Sequence, residues 1–373
     1  MTTMYDRLRQ EINHFYPLAG FAAAVRIVGM ARALVSAIIP VHNRAVLCRR
    51  AVDSAVGALA GIESEVIVVD DGSDDNLRET LSGCSGEVSV HRIAHCGMPG
   101  HARNIGVERS QGDYVAFLDS DDVWHPDKIT AQLHTLRESG ARMVHCRERW
   151  IRGGREISQR RQRHRRCGDI FEDALAKCIV GPSTLVLERT LFTESGGYRG
   201  DLEVAEDYEL ALRLLAFESI AYVEQPLVEK HDHDGPQLSH AYSQIEGFRI
   251  RALGDMLADA IEARDDSGNS RSRQPGGLRS VAGRDADIAK VIEAIDAVSA
   301  FHGGNVSGRW FPRTRWGAML PAGLSAPRLA AAVGEYARKC RIFAAGALRR
   351  GREREAAIHR LAADTVENVC YIP

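Results

Sequence analysis

Twice in the first third of the chain an apolar, β-branched run stops at clustered carboxylates: "VIVVDD" over residues 66–71 and "YVAFLDSDD" over residues 114–122. Runs this apolar, with no polar alternation, predict strands buried on both faces, and such strands belong to parallel sheets covered by helices. The segments around them supply those helices. "LVSAIIPVHN" (34–43) predicts a first strand, and "RAVLCRRAVDSAVGAL" a helix burying Val46, Leu47, Ala51, Val52 and Ala55. The strand ending in Asp70 and Asp71 runs into a helix that Asp74 or Asp75 is placed to cap. "EVSVHRI", "GHARNIGVERS" and "DYVAFLD" add strand, helix and strand, and a further helix opens at Pro126 and Asp127. Alternation of this kind predicts an α/β fold, a Rossmann-like and mostly parallel sheet flanked by helices.

Past residue 140 the pattern loosens. "IAYVEQPLVEK" predicts an edge strand, because Pro226 lacks the donor that a central strand needs. From about Ser239 the periodicity is helical. The expected organisation is an N-terminal extension (1–33), a catalytic domain (34–240) and a smaller α-helical C-terminal domain (241–373), with a polar loop near 265–283. The apolar stretch Phe21–Val41 is divided by Arg26 and Arg32 into pieces too short to span a bilayer. Met30 stands just before the first strand, so the chain from Met30 onward is expected to fold by itself.

A net charge of −2 gives no global field toward nucleic acid, which is not an expected partner. The eight cysteines form no C-x-x-C pair, which argues against a zinc ribbon or a dithiol redox site and for reduced thiols in the cytoplasm. Local charge is another matter. The run Arg160–Arg166 holds five arginines and one histidine, a basic loop that suits a phosphorylated or lipid-linked acceptor, or peripheral contact with the inner face of a membrane. An alanine-rich, basic stretch near residue 340 suits packing on the catalytic domain or a homo-oligomer contact.

In an open parallel sheet, ligands bind beyond the carboxyl ends of the strands, so both acidic clusters should overlook one crevice. Asp119 and Asp121 are two residues apart in extended chain and project to the same side. Two readings follow: a solvated turn with Asp121 or Asp122 capping the next helix, or an oxygen-only site for Mg2+ or Mn2+ completed by water and phosphates. No G-x-G-x-x-G follows the first strand and no G-x-x-x-x-G-K-[ST] occurs anywhere, which removes the usual phosphate cradles of dinucleotide and P-loop enzymes.

The ordered set "SAIIPVHNR", "VIVVDDGSDD", "GHARNIGVERSQGDYVAFLDSDDVWHPDKI" and "EDYELALRL" resembles the successive motifs of the family-2 glycosyltransferases of GT-A fold, over residues 34–239. The resemblance implies a metal-dependent, inverting transfer of a sugar from a nucleotide sugar, UDP-linked, to the hydroxyl of a saccharide, lipid-linked or small-molecule acceptor. It implies that Asp71 contacts the base, with Pro40, Val41 and Asp70 beside it, and that Asp119, Ser120 and Arg103 meet the nucleotide sugar. Asp119 and Asp121 would hold Mn2+ or Mg2+, with His233 near the metal or diphosphate and His231 an equal alternative by spacing. Asp207 would be the base, with Glu206 its structural partner. Trp124 is expected in the core. The rival readings are a nucleotidyltransferase, which would show a glycine-rich phosphate loop where this chain has "PVHNRAVL", and a sugar-binding scaffold of the same fold without catalysis.

Overall fold

The first strand, β1 (Val35–Val41), is buried along almost its whole length, because parallel neighbours pair with it on both edges and helices cover both faces. The computed structural model describes residues 34–84, 86–157, 166–232, 245–269, 281–302 and 324–370. Beside β1 lie β2 (Ser64–Asp71) on one edge and β4 (Tyr114–Phe117) on the other, both parallel to it, and β3 (Val88–Ile93) extends the parallel set beyond β2. Beyond β4 the sheet turns mixed: β8 (Val186–Glu188) is antiparallel to β4 and to β6 (Met143–Arg152), and β6 runs parallel to β9 (Ala221–Asp232). The short β5 (Val123–Trp124) pairs antiparallel with β9, and β7 (Arg155–Ile157) hangs from β6. Among the described residues the sheet order is therefore β3-β2-β1-β4-β8-β6-β9-β5.

The helices interleave as the periodicity predicts. Helix α1 (Ala45–Ala58) packs through Cys48, Ala51, Val52 and Ala55, small residues that let it sit close to the sheet, whereas Val46, expected on the buried face, faces solvent because Ala45 and Cys48 take the inward positions of the first turn, and Leu47 is only partly buried. Helix α2 (Leu77–Leu81) follows β2, and α3 (Pro99–Glu108) follows β3 with its own close approach: a side chain at Gly106 would meet Ile38 of β1 at 2.4 Å. Helix α4 (Lys128–Ser139) ends at Gly140 in the left-handed conformation. Burial of a single Ile or Leu in this core contributes about 1.5–3 kcal/mol.

Three local expectations are corrected. Pro226 does not make β9 an edge strand. It lies opposite Arg147 at an irregularity in the β6–β9 register, where the ladder is already interrupted and a missing donor costs nothing. Asp75 caps a different helix from the one that follows it, since its carboxylate accepts the backbone N–H of Ala45 at the start of α1 (2.8 Å). Asp121 and Asp122 do not cap α4, which opens at Lys128 after Asp127.

Farther along come α5 (Phe171–Ala176), α6 (Arg189–Glu194) and α7 (Glu206–Leu215), then the long helices α8 (Ile245–Asn269), α9 (Val281–Phe301), α10 (Ala326–Arg349) and α11 (Glu353–Val369). One hydrophobic cluster runs from Ile38 and Phe117 in the sheet through α7 to Leu257, Val298, Tyr336 and Val366 in the terminal helices. That shared core ties the helical region to the face of the sheet that carries α7. No described helix is long and apolar enough to cross a membrane.

Candidate active site

Three groups of carboxylates meet at the rim formed by the carboxyl ends of β1, β2 and β4. The first is at the end of β2. Asp71 is buried, and its carboxylate accepts the backbone N–H groups of Cys96 (2.8 Å) and Gly97 (2.9 Å), closing the loop after β3 over the strand end. Its carbonyl oxygen lies 2.7 Å from His42 Nδ1 and 2.9 Å from His95 Nδ1; a carbonyl only accepts, so both rings carry their proton on Nδ1. The two imidazoles stack with centroids 4.0 Å apart. Asp70 accepts the N–H of Ser73 (2.8 Å) and pairs with Arg92 (3.2 Å). Pro40 and Val41 end β1 beside them, Pro40 partly exposed and Val41 buried.

The second group follows β4. Ser183, in a short 3-10 turn (Pro182–Thr184), accepts the backbone N–H of Asp119 (3.0 Å) and donates its hydroxyl to Asp122 (2.5 Å). Trp124, buried as expected, locks the same turn by donating its indole N–H to the Ser183 carbonyl (2.9 Å). Each carboxylate then has a cation. Arg103 bonds Asp119 (2.6 Å), Arg44 bonds Asp121 (2.7 Å), and Lys230 of β9 stands 3.6 Å from Asp122 and 4.0 Å from Asp119. Burial would raise the Asp119 carboxyl, but Arg103 and Lys230 hold it below the ordinary value. Burial pushes Asp122 up to about 7, against the pull of Lys230 and with the repulsion of Asp119 and Asp121. Ser120 is buried between them.

The third group opens α7, where Ala205 takes a left-handed conformation (φ 64°) and turns the chain into the helix. Glu206 and Asp207 diverge there. Glu206 is buried against Arg103 (2.7 Å), and burial pushes its carboxyl up to about 7 despite that partner. Asp207 is half-buried; one oxygen accepts its neighbour's N–H from Tyr208 (2.7 Å), and the other lies 3.5 Å from the Cys178 thiol. It lines a small recess with Val180, Pro182 and Leu185.

Arg103 thus sits neither on a helix surface nor free for a ligand. Its buried guanidinium joins the second group to the third, and it stacks on Tyr198 at 5.2 Å. Of the sequence-derived candidates, Pro40, Val41, Asp70 and Asp71 end β1 and β2, Asp119, Ser120 and Asp121 follow β4, Arg103 of α3 links Asp119 to Glu206, and Asp207 follows Glu206 in α7. His233 and residues 160–165 of the basic run lie outside the described residues; Arg166 pairs with Asp173 (3.0 Å), and His231 lies 3.3 Å from Glu229. Arg44, Ser183, Cys178 and Lys230 were not anticipated. The strand period offers a signal for one of them, because it puts Lys230 on the same face as buried Val228.

The donor set of the second group is all oxygen, which suits a hard divalent cation. Among the described residues no three His, Cys, Asp or Glu side chains are arranged to hold an ion, so Asp119 and Asp121 would supply two carboxylates and leave the other positions to water and phosphate. Of the partners they hold now, Arg103 is buried and Arg44 partly exposed.

A family model described as glycosyl transferase family 2 matches residues 36–196. An uncharacterized glycosyltransferase of Rickettsia typhi is 30% identical over 227 residues, which cover 58% of this chain and 69% of that protein. Another from Rickettsia felis is 28% identical over 194 residues, 52% of this chain and 32% of its own length. Among solved structures, residues 1–349 of S. aureus TarS, crystallised with UDP-GlcNAc, superpose with a TM-score of 0.52 at 19% identity over 90% of each chain.

Proposed function

The chain belongs to glycosyl transferase family 2, and from that premise we propose that it moves a sugar from a nucleotide sugar to an acceptor hydroxyl with inversion at the anomeric carbon. The observation that carries the reading is the meeting of three carboxylate groups with separate environments on one rim. Asp71 and the loop it closes offer a place for the base, Asp119 and Asp121 a place for the diphosphate, and Asp207 a carboxylate for the acceptor. UDP-linked sugars are the first donors to test, because TarS was crystallised with one.

In this proposal Asp207 takes the proton of the acceptor hydroxyl as its oxygen attacks the anomeric carbon. The bond from that carbon to the diphosphate oxygen breaks, and the oxygen leaves with the electron pair. Arg103 fixes Asp119 toward one side of the crevice and Glu206 toward the other, which keeps donor and base sites in register. Mn2+ or Mg2+ held by Asp119 and Asp121 would supply charge neutralisation for the diphosphate.

Asp207→Asn keeps the size and an oxygen to accept the Tyr208 N–H but removes the basic oxygen. Transfer from a UDP-sugar should fall by about two to four orders of magnitude with UDP affinity nearly unchanged. A stable variant that transfers at the normal rate would remove Asp207 from the chemistry.

A further inference from the structure

Lys230 has no place in the proposal so far. Its ammonium stands 3.6 Å from Asp122 and 4.0 Å from Asp119, and Glu148 and Asp207 also act on it electrostatically. It therefore stands beside the carboxylates assigned to the diphosphate and within electrostatic reach of the one assigned to the acceptor. Both distances exceed a hydrogen bond, and among the described residues the ammonium donates none. The neighbours do not depend on it for partners, since Arg103 bonds Asp119 and the Ser183 hydroxyl bonds Asp122. Gly181 leaves the space beside it open: a side chain there would lie 3.7 Å from the Lys230 ammonium and 3.6 Å from Glu148. A lysine with three N–H donors and a side chain 27% exposed is thus poised over the crevice.

We propose that Lys230 is a further catalytic residue, whose ammonium hydrogen-bonds the diphosphate oxygen that leaves the anomeric carbon. The inference rests on the nucleotide-sugar reading. As the carbon–oxygen bond breaks, the oxygen keeps the electron pair and its growing charge meets a fixed N–H donor, while the acceptor proton goes to Asp207. No proton need leave Lys230. Because leaving-group charge is largest late in the step, the contact strengthens toward the transition state.

The test is calorimetric titration of the full chain with UDP and with inorganic pyrophosphate, in EDTA and in Mn2+, together with transfer kinetics. Lys230→Met should weaken both ligands about 10- to 100-fold in EDTA as well as in Mn2+, the scale of one charge-assisted hydrogen bond. Turnover should fall more than KM rises, and Lys230→Arg should restore part of both. If Lys230→Met does not fold, Lys230→Met/Asp122→Asn removes one charge of each sign and carries the same comparison against Asp122→Asn alone. A lysine that only neutralises carboxylates would lower the melting temperature and leave UDP and pyrophosphate affinity unchanged, and that result would overturn the inference. The wild type separates the two levels: pyrophosphate binding without binding of UDP, GDP, CDP or dTDP would overturn the nucleotide-sugar reading, and this inference with it.

Discussion

The acidic clusters after β2 and after β4 read alike in the sequence, yet they are held in opposite ways. Asp71 is held by backbone: the N–H groups of Cys96 and Gly97 fill one site on each carboxylate oxygen. Asp119, Asp121 and Asp122 are held by side chains, namely Arg103, Arg44, Lys230 and the Ser183 hydroxyl. Backbone donors cannot leave unless the loop opens, whereas a partly exposed side chain such as Arg44 can swing away from Asp121 and be replaced by a ligand. One cluster is a fixture of chain geometry and the other an exchangeable ionic cluster. Each Asp71 oxygen still has a lone pair to offer a ligand, so fixture and binding are compatible there.

The largest expected effect breaks the fixture. Asp71→Ala removes two charge-assisted hydrogen bonds, from the N–H groups of exposed Cys96 and half-buried Gly97, each about 1–2 kcal/mol once water takes part of the carboxylate's place, so urea unfolding should show a loss of about 2–4 kcal/mol. Nucleotide affinity should fall with it. A loss below about 1 kcal/mol would mean that water replaces the carboxylate and that the corner is not a backbone fixture. Gly72→Ala attacks the same corner by another route. Gly72 has φ 68°, and a side chain there would meet the backbone nitrogen and Cβ of His95 at 2.8 Å, atoms with no freedom to yield. A loss of about 2–3 kcal/mol is expected, smaller in the Asp71→Ala background, because both changes act on one loop and neighbouring effects do not add.

The sequence made the strand ends legible and the partners illegible, for a physical reason. An apolar run ending in acids needs only local information to be read as a buried strand meeting a rim, and β2 and β4 follow that pattern, with Asp70 and Asp71 closing the first and Asp119 and Asp121 just past the second. What holds each carboxylate comes from far away in the chain: Lys230 is 108 residues from Asp122, and Arg103 is 103 residues from Glu206. Spacing in sequence carries no trace of such pairs. Pro226 shows the converse, a reliable local rule overridden by a register irregularity that only the assembled sheet contains.

The exchangeable cluster should also leave a mark on stability against pH. Burial raises Asp122 to about 7 from an ordinary carboxylate value of 3.8. Between those two pH values the folded protein keeps a proton that the unfolded chain has lost, so stability falls as pH rises through the window and the cost is complete above about pH 7. Asp122→Asn cannot ionise and removes the slope. Relative to wild type, the variant should be roughly 1–2 kcal/mol better off at pH 8 than at pH 5, read from urea midpoints at the two pH values. Equal differences at both would show that Asp122 is charged throughout and that Lys230 outweighs burial.

The smallest stability effect is the most telling for the comparison. Asp121 bonds Arg44 at 2.7 Å, but both side chains are partly exposed, and pairs of that kind contribute about 0–1 kcal/mol. Its backbone is held independently, since Arg50 donates to the Asp121 carbonyl oxygen at 2.7 Å. Asp121→Ala should therefore unfold within about 1 kcal/mol of wild type while losing the Mn2+-dependent part of its UDP affinity, because Asp119 alone gives a hard cation one carboxylate. Asp71→Ala and Asp121→Ala then form a crossed pair, the first losing mainly stability and the second mainly ligand. Calorimetry with and without Mn2+, run beside urea unfolding on the same preparations, reads both axes at once. If Asp121→Ala kept its full Mn2+-dependent affinity, the cluster after β4 would be structural as well, and the distinction between a fixture and an exchangeable site would fail.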